Sequence, residues 1–308
     1  MKILITGSRG FVGGSVGRFA AHKGHDVLGI SRAAQPATDW PGAYVSADVV
    51  SADLSQSIRN FAPDAVFHAA GTASVGASFS APLADLRASL LSWANVLDSV
   101  RRSTLQPVLL FPSSAAVYGQ PEQSPVTENA AVRPISPYGF HKAACELLAR
   151  EYADCFGQRV IVCRAFSLVG AAQRRLLIWE LFQQFIGGEQ TVWLQGTGAE
   201  TRDYLSADSL AAAALDLMET QTGIMQPGAC RIVNVGSGTE TRVLDVAKQI
   251  GKLVAPEKDI RCLGLKRAGD PESWQADISS LRSLVPQWKP EPFDQALSAC
   301  IVLWQKSS

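Results

Sequence analysis

Apolar residues come in short, nearly continuous runs, separated by stretches where they recur every three or four positions. Residues 3–5, 27–30, 65–68, 108–111, 160–164 and 231–235 read as strands. Their lack of alternation is that of strands buried on both faces of a parallel sheet. Residues 12–22, 82–102 and 137–156 carry the helical spacing between them. Strands alternating with helices predict an α/β fold built on a doubly wound parallel sheet. After Arg164 the rhythm breaks. An aromatic-rich helix over 176–186 and a glycine-rich stretch over 187–198 follow. The tail, with Pro286, Trp288, Pro290 and Pro292, is expected to end in a short helix. The expected division is a main domain of residues 1–165 plus about 203–237, and a smaller C-terminal α/β substrate lobe of 166–202 and 238–308.

Composition changes this picture little. Of 308 residues, 47% are apolar and 18% charged, enough for a sizeable core. The formal net charge of zero points away from nucleic acid and anionic membranes as partners. No apolar run approaches the length of a membrane span, and the N-terminal run stops at Thr6-Gly7, so a cytoplasmic protein is expected. The six cysteines have no CxxC spacing, so they read as core thiols in a reducing compartment, with no metal site.

Chemistry enters at the first strand–helix junction, Gly7-Ser8-Arg9-Gly10-Phe11-Val12-Gly13. Gly7 permits a tight turn, Gly10 lets a pyrophosphate approach the backbone, and Gly13 lets the helix pack on the strand. The helix N-terminus then offers free amides to the anion. Strand, turn and helix in this order predict a Rossmann-type dinucleotide site. The second strand leads into Ser31-Arg32, where a site for NAD usually places a carboxylate against the ribose 2′-hydroxyl. An arginine there suits a 2′-phosphate, so NADP is expected over NAD. Asp48, after the next candidate strand, is a candidate acceptor for the adenine amino group.

Tyr138 and Lys142 lie four residues apart in a helical stretch and so share a face. A cation beside a phenol stabilises the phenolate, which makes Tyr138 a candidate acid/base for interconverting an alcohol and a ketone. Ser113 and Ser114 end a predicted strand, where α/β sheets place ligands, and Ser114 is a candidate partner for the same substrate oxygen. Strand-end capping is the alternative for these serines, and their position relative to Tyr138 favours catalysis.

Together these segments resemble the extended short-chain dehydrogenase/reductase family, in its nucleotide-sugar epimerase, dehydratase and ketoreductase branch. The resemblance spans TGSRGFVG (6–13), HAAG (68–71), SSAAVYG (113–119), YGFHK (138–142), RDYLSADSL (202–210), NVGSG (234–238) and KRAGD (266–270). It implies that Ser114, Tyr138 and Lys142 are catalytic, with cofactor contacts at Phe11, Val12, Val49, Ala69, Ala70, Gly71 and Phe166. It also implies a nucleotide-diphosphate sugar held by Ser167, Arg202 and Arg267, and a homodimer formed through 83–102 and 141–156. Dehydratases of the branch carry acidic residues where Ala115 and Ala116 stand, which argues against elimination of water. Two further departures are Ser89 and Ser167, where the family commonly has asparagine; Gln173-Arg174-Arg175 is a candidate to compensate. The arginine motif favours a 4-epimerase, and Ser31-Arg32 favours an NADPH-dependent 4-keto-6-deoxyhexose reductase. A non-catalytic NADP sensor is a third reading, disfavoured by the intact acid/base set.

Overall fold

The structure, a computed structural model, describes residues 1–265 and 269–307. Its strands are β1 (Lys2–Thr6), β2 (Asp26–Ser31), β3 (Ala43–Ser46), β4 (Ala65–His68), β5 (Val108–Ser114), β6 (Arg159–Ala165), β7 (Ser167–Val169), β8 (Thr191–Leu194), β9 (Thr201–Ser206), β10 (Cys230–Val235), β11 (Glu240–Arg242) and β12 (Asp259–Cys262). The helices are α1 (Phe11–His22), α2 (Ser55–Phe61), α3 (Val75–Ser80), α4 (Pro82–Leu86), α5 (Ser92–Ser103), α6 (Pro137–Phe156), α7 (Leu177–Ile186), α8 (Ala207–Gln221), α9 (Val243–Val254), α10 (Ser279–Leu284) and α11 (Phe293–Ser307).

Seven strands form one parallel sheet in the order β3-β2-β1-β4-β5-β6-β10. The chain starts in the middle, runs to one edge, then returns past β1 to build the other. That reversal between β1 and β4 opens a crevice at the carboxyl ends of the strands. Neighbouring residues of β1 serve opposite cores: Ile3 and Ile5 pack with α1 and α8, whereas Leu4 packs with α2, α5 and α6. Both faces are therefore covered, which is why the strands read as unbroken apolar runs.

A second core lies away from the sheet. There α7, α9 and α11 enclose Phe182, Phe185, Ile250 and Trp304. Two small sheets, β11-β9-β7 and β12-β8, flank it. No helix among the described residues is long and apolar enough to cross a membrane.

Several expectations need correction. The helix expected over 82–102 is α4, a π-helical turn at Arg87–Leu91, and α5. Serine hydroxyls compete for the carbonyls there: Ser92 Oγ donates to the carbonyls of Ala88 at 2.5 Å and Ser89 at 3.0 Å. The glycine-rich 187–198 contains β8, whose pairing with β12 comes from a segment about 70 residues distant. The terminal helix spans fifteen residues because it carries Trp304 into the second core. Cys145, Cys163 and Cys300 are core thiols, but Cys155 and Cys262 are exposed and Cys230 is half-buried.

Candidate active site

A cleft of about 1110 Å³ runs from the N-terminus of α1, past the ends of β4 and β5, to β9 and the second core. On its cofactor side, Gly7 sits at φ +68°, and a Cβ added at Gly13 would lie 2.4 Å from the Gly7 carbonyl oxygen. The turn is thus closed to side chains at both positions. Its amides at Gly7 and Ser8 donate to the Ile30 carbonyl at 2.8 and 3.4 Å, which ties the turn to the end of β2. Gly10, the N-cap of α1, has no side chain to accept from the first-turn amides. The first-turn amides are accordingly left for an anion, and the residues fit a dinucleotide pyrophosphate. Phe11, Val12 and Ala69 line the cleft.

Ser31, Arg32, Asp48, Val49, Ala70 and Gly71 lie beyond that lining. Ser31 Oγ is 2.8 Å from Tyr44 Oη, which donates to the Ala33 carbonyl at 2.6 Å. Arg32 and Asp48 are exposed, and Asp48 accepts from the Val50 amide at 3.0 Å. Val49 is buried. Ala70 donates its amide to Thr6 Oγ1 at 3.3 Å, and Gly71 adopts φ +148°. Arg9, which no sequence motif singles out, donates to the Gln35 carbonyl at 2.8 Å. A second guanidinium therefore bridges the glycine turn and the loop after Arg32.

At the centre, Ser136 caps α6 by accepting from the Gly139 amide at 3.1 Å, and Pro137 takes the first helical position. This fixes where Tyr138 and Lys142 emerge. Tyr138 lines the cleft, 9% exposed, and its amide donates to Ser78 Oγ at 3.0 Å. Lys142 Nζ donates to the Pro112 carbonyl at 2.9 Å, 5.7 Å from the Tyr138 ring centroid and 4.6 Å from that of Phe111. The ammonium is thus beside the phenol ring and anchored to β5. Ser114 lines the same cleft and also accepts from the Ala116 amide at 3.2 Å, so it caps as well.

A buried polar network supports this centre. Ser113 Oγ donates to Glu146 Oε1 at 2.5 Å, and Arg164 pairs with Glu146 Oε2 at 2.7 Å. Arg164 also donates to Tyr118 Oη at 3.0 Å, and Tyr118 donates to Asn234 Oδ1 at 2.6 Å. Burial pushes the Tyr118 phenol up to about 12, against the pull of Arg164. Four elements, β5, β6, β10 and α6, are locked together by these bonds. Behind β1, Thr6 Oγ1 meets His68 Nδ1 at 2.8 Å, and burial, assisted by the charge of Lys142, holds that imidazole down at about 3. His68 is a neutral hydrogen-bonding group.

On the substrate side, Ser167, Arg202, Trp193 and Trp274 line the cleft, as does Gln173. Phe166 is buried edge-on to Trp274. Arg202 pairs with Asp270 at 2.9 Å and lies 5.5 Å over the Trp274 ring. Asp203, beside Arg202 in the chain, instead accepts from the amides of Ser237, Gly238 and Ala276 at 2.7–3.1 Å. Arg174 bonds the Ala171 carbonyl and stacks on Trp179. Trp179 and Phe182 belong to the second core with Trp304. Arg267 lies outside the described residues.

With this geometry established, the relatives are informative. A putative UDP-glucose 4-epimerase of Methanocaldococcus jannaschii is 26% identical over 315 residues, covering 99% of each chain. MoeE5, solved with UDP-glucuronic acid and NAD, superposes with a TM-score of 0.88 over the full length of both chains at 24% identity. TunA, an NAD-dependent NDP-hexosamine 5,6-dehydratase, superposes at 0.87 with 22% identity over 99% of this chain and 98% of that one. These two superpositions establish the fold, that of a Rossmann-type sheet with a second lobe. Residues 3–236 match the NAD-dependent epimerase/dehydratase family. This chain therefore belongs to that family and is an enzyme of the extended short-chain dehydrogenase/reductase class.

Proposed function

We propose that this enzyme is a nucleotide-sugar 4-epimerase, acting by reversible hydride transfer at the sugar C4. The observation that carries the reading is the meeting of Ser114, Tyr138 and Lys142 on one cleft wall, with the uncapped N-terminus of α1 on the same cleft. The glycine turn and Lys142 would hold a nicotinamide dinucleotide, which would supply a reversible two-electron acceptor. Tyr138 removes the C4 hydroxyl proton and, after the 4-keto sugar has turned over to present its other face, restores it. Ser114 donates to the same oxygen, and Lys142 stabilises the phenolate while staying anchored to Pro112. Ala115 and Ala116 carry no group that would protonate a leaving hydroxyl. Arg202 supplies a guanidinium fork suited to diphosphate oxygens. Residues 1–165 with 203–237 form the cofactor domain in this scheme, and 166–202 with 238–308 the sugar lobe. Leu83, Phe140 and Leu147 remain exposed on α4 and α6 and form the apolar face of a homodimer, which sedimentation would test.

Purified protein incubated with UDP-, GDP- and dTDP-hexoses tests the reaction. Inversion at C4 without net cofactor loss supports the epimerase. Stoichiometric loss of NADPH with a 4-keto sugar would establish instead an NADPH-dependent reductase. That second reading is favoured by Arg9 and Arg32, two guanidinium groups at the adenosine end where NADP carries its extra phosphate. NADP as the preferred cofactor belongs to the same reading.

A further inference from the structure

Beneath the cleft wall that follows β4, four polar side chains meet outside the machinery described above. Thr72 lines the cleft and donates its hydroxyl proton to Asp85 Oδ1. Asp85 Oδ2 accepts from His141 Nδ1 at 2.5 Å, and Ser89 Oγ lies 3.1 Å from Thr72 Oγ1. Asp85 is 4% exposed and Ser89 2%, so the carboxylate has exchanged water for two donors. Such a group is tolerated inside a protein only when its oxygens are hydrogen-bonded and its charge is met. The π-helical turn carries Ser89 into this cluster. His141 stands on α6 between Tyr138 and Lys142.

The network sets the direction of each hydrogen. Asp85 accepts from both neighbours, so Thr72 has no proton left to give elsewhere. Ser89 must then donate to Thr72. What the Thr72 oxygen retains for the cleft is a lone pair, with a carboxylate directly behind it. We propose that Thr72 determines substrate specificity by accepting a hydrogen bond from a hydroxyl or amide N–H of the sugar and disfavouring a sugar carboxylate. Asp85 and His141 are positioning residues that hold this polarity. The inference rests on the nucleotide-sugar reading of the cleft.

Initial rates with UDP-glucose and UDP-glucuronate test it, because the two probes share their nucleotide and differ only in the sugar substituent. The wild-type ratio of kcat/KM should favour UDP-glucose by about tenfold or more, the weight of one well-placed hydrogen bond. Thr72→Val keeps the shape, removes the oxygen, and should bring the ratio towards one. Asp85→Asn presents an amide that can donate to Thr72, which frees the Thr72 proton for the cleft. Its ratio should fall by about tenfold with dinucleotide affinity unchanged. Should Asp85→Asn fail to fold, Thr72→Val decides alone. A wild type that prefers the uronate, or a ratio that Thr72→Val leaves unmoved, overturns the role of Thr72 and leaves the proposed function intact. A wild type that neither turns over nor binds either probe overturns this inference, and inversion of the GDP- and dTDP-hexoses then decides the proposed function separately.

Discussion

The two halves of the cleft are built differently. On the cofactor side, the turn from Gly7 to Gly13 is one contiguous stretch, and its hydrogen bonds run to the adjacent strand. On the substrate side, Ser167, Trp193, Arg202 and Trp274 come from segments spread over more than a hundred residues, and Trp274 is packed into the core of the main sheet. A dinucleotide pyrophosphate is recognised by backbone amides, which this turn can present only with glycine at positions 7 and 13. A sugar is recognised by side chains, and those are placed by packing. The cofactor half therefore tolerates little change in glycine spacing, whereas the substrate half can change specificity by side-chain exchange.

The largest test of this contrast is Tyr138→Phe, at the junction of the halves. Turnover should fall by about 10³-fold or more while dinucleotide affinity stays constant; steady-state rates beside a cofactor titration check it. Glu146→Ala should next cost about 3–5 kcal/mol in urea unfolding, since it leaves Arg164 buried without its carboxylate. An effect under about 1 kcal/mol would mean that the network does not hold the cofactor half together.

The acid response should trace to the same half. His68 has a folded-state pKa of about 3, below the ordinary 6.5, so between those values the unfolded chain binds the extra proton. Its contribution is complete above about pH 6.5 and is lost as pH falls towards 3, by about 3 kcal/mol at pH 4.5. Urea midpoints at pH 7 and 4.5 should show this loss, and His68→Gln should flatten it. On the substrate side, Arg202→Leu should raise the nucleotide-sugar KM roughly thirtyfold and leave dinucleotide affinity alone. The smallest expected change is in Arg32→Ala, with NADP affinity falling about tenfold relative to NAD. An unchanged ratio of dissociation constants would make Arg32 a solvated side chain.

Local features announced most of the sheet half. The apolar runs at β1, β4 and β10 and the whole of α6 stand where their spacing predicts them. The apolar residues of β1 and β4 are buried on both faces, so hydrophobicity alone marks them, whereas helical spacing marks α6. Strands β7, β8, β11 and β12 are three or four residues long and pair with distant segments, so no period identifies them. Ser114, Tyr138 and Arg202 were legible because motifs flank them. Arg9 was hidden by its glycine neighbours, His141 by standing between Tyr138 and Lys142, and Thr72 and Asp85 by having no motif of their own.

Local sequence was therefore enough to announce the parallel sheet, the tight glycine turn and the spacing of Tyr138 and Lys142, because strand burial, glycine geometry and helical periodicity act over a few residues. Tertiary structure alone decided that Arg202 pairs with Asp270 rather than Asp203, that Lys142 is anchored to Pro112, and that Thr72 is backed by a buried carboxylate. Each of those is a contact between segments whose separation along the chain bears no relation to their distance in space, and only packing brings such groups within hydrogen-bond reach.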